Sequence, residues 1–123
     1  MTDFVRFPEM RLDVISALRA LSDPGQQSSW GRAEEGVPYY NDLTLNVHVL
    51  YDDCQVLPDP SERVGTVLLE GEVAALRGVH EALNPLLDEL REEPDAEYLA
   101  DRRWPTVMSA SAEALRVMEA LGR

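Results

Sequence analysis

Three stretches of this chain repeat apolar residues at steps of three and four, and together they constrain it to a mainly helical fold. The strongest runs from Glu70, where Val73, Leu76, His80, Leu83, Leu87 and Leu90 share one stripe. The first opens at Pro8 and Glu9, a proline and an acid suited to the first turn of a helix. Its stripe is Phe7, Val14, Leu18 and Leu21, flanked by Met10 and Ile15, and Asp23-Pro24-Gly25 stops it. The last begins at Trp104-Pro105 and predicts a buried face of Met108, Ala112, Leu115, Met118 and Leu121. Pro85 lies inside the second stripe. Its missing N–H and its ring predict a kink or break near Leu83. Glu92-Glu93-Pro94-Asp95 terminates that helix, and Ala96 to Ala100 has room for one helical turn.

Between these stretches the pattern is ambiguous. Leu43, Leu45, Val47, Val49 and Tyr51 alternate with Thr44, Asn46 and His48, which is a strand signal. Leu43, Val47, Leu50 and Cys54 also fall on one helical stripe, with Asn41 and Asp42 as N-caps before it. Periodicity alone favours the strand slightly, although Leu50 breaks the alternation. Pro58 and Pro60 enforce a turn, and Val64 to Leu69 is β-branched enough for a short strand. Gln26 to Pro38 is polar and glycine-punctuated, a loop anchored by Trp30. The expected architecture is therefore one globular domain over residues 1–123, a compact bundle of about four helices with one irregular or β connection. The alternative is α+β, with Leu43–Tyr51 and Val64–Leu69 paired as a two-stranded hairpin under the helices.

Charge excludes several partners. The chain carries 23 acidic residues against 11 basic ones, a net charge of -12. Such a surface repels phosphate backbones and anionic membranes, so no nucleic acid and no membrane partner is expected. A charged partner should be basic. The single cysteine, Cys54, leaves no internal disulfide and no cysteine-based zinc site. No apolar run approaches ~18 residues, and the N-terminal segment has no apolar signal core. Cytoplasmic localisation in a bacterium is the expectation.

The polar chemistry concentrates between Tyr39 and Pro60. Asp52 and Asp53, with Asp42 and Asp59 nearby, could offer oxygens to a hard cation. The stretch lacks the glycine and glutamate spacing of an EF-hand loop, and no metal or cofactor is expected. His48 and His80 are the only histidines; His80 lies on an apolar stripe, and His48 is out of phase with its apolar neighbours. Cys54 follows two aspartates, which weaken a thiol as a nucleophile. Tyr39 and Tyr40 are consecutive and cannot easily both be buried. The candidate binding surface is thus Tyr39, Tyr40, Asp42, His48, Asp52 and Asp53, with no catalytic residue assigned.

The segment Tyr39–Val56, then Val64-Gly65-Thr66-Val67-Leu68, the Glu72 helix and the Trp104-Pro105 start, resembles a set of small, uncharacterised actinobacterial proteins. The resemblance covers most of the chain. It implies a helix over Asp42 to Tyr51 and implies no activity, substrate or cofactor.

The function class expected is a non-enzymatic protein-binding or regulatory module with an acidic surface. A toxin-neutralising immunity protein is one concrete form, since small acidic single domains suit basic nuclease partners. The alternative is a small-molecule binder or small enzyme using an Asp/Tyr/His cleft. Monomer and homodimer both remain open.

Overall fold

A computed structural model describes residues 5–28, 30, 43–91 and 93–121. Six α-helices occur among them: α1 (Pro8–Ser22), α2 (Pro24–Gln27), α3 (Leu43–His48), α4 (Val73–Leu90), α5 (Asp95–Ala100) and α6 (Trp104–Leu121). No β-strand occurs among the described residues, only one isolated bridge between Val64 and Leu68. The fold is mainly α, and the hairpin alternative is wrong. No helix among the described residues is long and apolar enough to cross a membrane.

Helix α6 packs against both α1 and α4. Each long helix buries one stripe: Val14, Leu18 and Leu21 from α1, Leu76, Val79, Leu83 and Leu86 from α4, and Trp104, Val107, Ala114 and Met118 from α6. The α6 face is turned by about one residue from the expected one. Val107, Ser111 and Ala114 are buried, whereas Ala112 and Leu121 are exposed. Phe7 also leaves its expected stripe; it is exposed, and the Arg6 guanidinium lies 5.6 Å from its ring centroid.

The segment with two readings is helical throughout. Helix α3 passes into a π-turn, Val49–Asp53, closed by the Cys54 N–H to the Val49 carbonyl at 2.9 Å. Leu43, Asn46 and Leu50 are buried, while Thr44, His48 and Asp52 are exposed. Those are spacings of three and four, so the inward face follows a helix and the alternation was incidental. Val64–Leu69 forms no strand because Gly65 turns it back: its φ is +90°, a conformation suited to glycine. The turn's Gly65 and Thr66 carbonyls accept the Arg6 and Phe7 N–H groups at 3.1 and 2.7 Å.

Helix α4 runs unbroken through Pro85, whose side chain is exposed. Packing of α4 against α6 outweighs the lost backbone bond, so the expected break does not occur. At the other end of the core, the Gln27 amide donates to the Ala20 and Leu21 carbonyls, and its oxygen accepts the Trp104 indole N–H at 3.1 Å. That one side chain satisfies carbonyls at the end of α1 and ties them to the start of α6. Trp30 is buried and meets Trp104 edge to face, centroids 6.0 Å apart.

Candidate functional site

The described candidate residues gather along α3 and the π-turn. Tyr39, Tyr40 and Asp42 lie outside the described residues, as do the expected caps Asn41 and Asp42. One hydrogen bond at the start of α3 comes from another helix: Asp95, at the start of α5, accepts the Leu43 N–H at 3.1 Å. This bond docks α5 onto α3 across 52 residues of sequence.

A cleft of about 420 Å³ opens beside that junction. Leu43, Val47 and Leu87 give it aliphatic surface, and Thr44, His48, Arg91, Glu93, Asp95 and Tyr98 complete its lining. His48 stands on its wall and meets Asp52 one turn on, Nδ1 to Oδ2 2.5 Å, with both side chains more than half exposed. The Tyr98 hydroxyl donates to the Arg91 carbonyl at 2.6 Å. Burial, then the carboxylates of Asp95 and Glu93, push the Tyr98 phenol above its ordinary range. Tyr98 therefore serves as a neutral brace.

Further along the same helix pair, Tyr51 sits against α4. Its hydroxyl and His80 Nδ1 are 2.8 Å apart, which gives the half-buried imidazole a partner. Burial first, then the Asp88 carboxylate, raise the Tyr51 phenol far above its usual range. Cys54 is buried, with its Sγ 3.4 Å from the Met10 carbonyl oxygen. Burial and the carboxylates of Asp13 and Asp53 push the thiol up to about 11. It is a neutral packing group at physiological pH.

The structure thus pairs Asp52 with His48, and of the two His48 lines the cleft. Asp53 is exposed on the π-turn, and its carboxylate is felt by Cys54. Sequence reasoning missed Arg91, Glu93, Asp95 and Leu87. Arg91 carried one readable signal: a non-glycine residue where a long helix ends in Leu-Arg-Glu-Glu-Pro. Among the described residues no group of three or more His, Cys, Asp or Glu side chains is placed to hold a metal ion.

No curated protein matches the chain, and neither does any solved structure. A family model does match: that of the domain of unknown function DUF7945, over residues 5–121. With nearly its whole length matched, the chain belongs to the DUF7945 family.

Proposed function

We propose that the chain is a non-enzymatic protein-binding module that holds a basic, partly aliphatic segment of its partner at the cleft between α3 and α4, as an immunity protein would. One observation supports this most: Leu43, Val47 and Leu87 share the cleft lining with Glu93, Asp95 and His48, whose ring meets Asp52, on a chain of net charge -12. Apolar side chains on the partner gain from burial on the floor. Its lysines or arginines meet the carboxylate edge, which steers encounter and sets specificity.

The test uses ¹⁵N-labelled protein and a peptide of about sixteen residues alternating lysine with leucine, long enough to cross the cleft. Amide shifts should cluster on residues 43–53 and 87–98. Asp52→Asn with Asp53→Asn should weaken binding several-fold at about 50 mM salt, and the difference should fade at about 500 mM as screening grows. The control, Glu62→Gln with Glu70→Gln, removes the same charge from exposed positions elsewhere. Equal losses from the two pairs, or shifts centred away from the cleft, would overturn the proposal.

A second reading has its own support. A volume of about 420 Å³ lies within the range of small-ligand sites, roughly 300–1,000 Å³. A small amphiphilic molecule is the occupant under that reading.

A further inference from the structure

Arg91 ends α4 with φ 46° and ψ -114°, a conformation that side chains disfavour. Helices commonly hand such a position to glycine. Three hydrogen bonds hold the residue there. Its N–H donates to the Leu87 carbonyl at 3.2 Å, its carbonyl accepts the Tyr98 hydroxyl, and its Nε donates to the Asp88 carbonyl at 3.2 Å. The first two use only the backbone and would hold a glycine equally well. The third gives the arginine a capping role at the end of α4 but engages only its Nε.

The side chain has capacity to spare. Among the described residues, its two terminal nitrogens make no hydrogen bond or ion pair. The nearby carboxylate of Glu89 is taken by Arg103 at 2.6 Å. Arg91 also lines two hollows, the 420 Å³ cleft and a shallower one of about 660 Å³ beside Glu89, Leu90 and Pro94. An arginine that shares a cleft with Leu43, Val47 and Leu87, as well as with Glu93 and Asp95, offers a planar fork that matches a carboxylate with a short hydrocarbon body.

We propose that Arg91 is the carboxylate-recognition residue of the cleft, and that the ligand presents a carboxylate attached to a branched aliphatic group against Leu43, Val47 and Leu87. The group could belong to a small free acid or to the leucine-like C-terminus of a partner chain; the chemistry is shared. For a basic partner the consequence is selectivity. Lysines are repelled at Arg91, so a segment that brings a carboxylate to that point is favoured over one that does not. The inference rests on the cleft being the binding surface.

The experiment follows amide shifts and thermal melting together. Sodium isovalerate should shift residues 43–48 and 87–98, and uncharged 3-methyl-1-butanol should bind roughly tenfold more weakly or worse. Inorganic phosphate, an anion without the aliphatic body, should also bind more weakly. Arg91→Gly should abolish the isovalerate response and raise Tm by roughly 3–5 °C, because it relieves the backbone while removing the fork. Arg91→Lys keeps the charge and the strain, and should bind several-fold more weakly with Tm unchanged. The lysine–leucine peptide ending in a free carboxylate should exceed its amide by roughly tenfold if the source is a chain terminus, and the two should be equal if it is a free acid. Isovalerate no tighter than the alcohol or phosphate, binding retained in Arg91→Gly, or a lower Tm in that variant would each overturn the assignment. Cleft shifts from the amidated peptide in that event would leave the wider reading of the surface standing.

Discussion

Removing Arg11 should cost this chain a large part of its stability. Arg11 is 8% exposed, and its guanidinium meets both oxygens of Glu72, which is 0% exposed. The same group donates to the Val67 carbonyl at 3.3 Å and to the Met118 carbonyl at 3.1 Å, one of the carbonyls left over at the end of α6. Glu72 in turn accepts the Leu69 N–H at 2.8 Å. One buried pair thus joins α1, α6, the turn before Leu69 and the entry to α4. In Arg11→Met the Glu72 carboxylate stays buried without its cation, and two carbonyls lose their donor. Breaking a buried pair from one side costs about 3–5 kcal/mol. A chain of this size has on the order of 5–15 kcal/mol in all. The variant should melt roughly 10–20 °C lower. Glu72→Gln should cost less, because the amide oxygen can still accept the Leu69 N–H and one Arg11 N–H.

The double variant Arg11→Met with Glu72→Gln separates the pair from its neighbours. It removes the uncompensated charge, so its loss should be smaller than the sum of the two single losses by about 1–3 kcal/mol. Urea unfolding followed by far-UV circular dichroism and by fluorescence of the two buried tryptophans gives all four values. A loss below about 1 kcal/mol in Arg11→Met, or strict additivity in the double variant, would refute the reasoning that the pair is a desolvated tie.

Two further outcomes concern α4 and the π-turn. Pro85→Ala should restore an N–H inside α4 at an exposed position and raise stability by about 1–3 kcal/mol; a lower Tm would show that the proline ring is needed. Cys54 titrates in the fold at about 11, against an ordinary 9.0, so the folded state keeps a proton that the unfolded chain releases. Stability should then be level below pH 9 and decline from pH 9 to about 11, with the decline shallower in Cys54→Ala. Equal slopes in the two proteins would show that the thiol titrates alike in both states.

The long helices were legible because burial there is a local property of spacing. The buried α1 stripe 11, 14, 18, 21 begins at Arg11, and the buried α4 stripe 76, 79, 83, 86 extends back by four residues to Glu72. An arginine and a glutamate at the ends of two buried stripes were a readable sign of a pair, had the stripes been followed through their charged members. The expected α6 face is off by one residue because Val107, Ser111 and Ala114 are buried while the larger Met108 and Leu115 stay half-exposed. Size is a weak guide where a helix packs closely on two others. The strand reading of Leu43–Tyr51 failed because alternation over so few residues cannot be told from a helix by pattern alone.

The cleft was less legible because its parts come from separate stretches of sequence. His48 and Asp52 stood in the chosen segment, and one helical turn joins them. Leu87, Arg91, Asp95 and Tyr98 reach the same place only because α4 ends where α3 begins and because Asp95 caps Leu43. A six-residue helix is too short to persist in water by itself. Helix α3 therefore draws on α5 for a partner to its Leu43 N–H and on the core for Leu43 and Leu50. Anything that loosens α5 also loosens the cleft wall that carries His48. The strained Arg91 lies between α4 and α5, with its carbonyl held by Tyr98 of α5. The shape of the cleft and the position of its one strained residue are thus set by the same short helix, so occupancy of the cleft and the stability of α5 should rise and fall together.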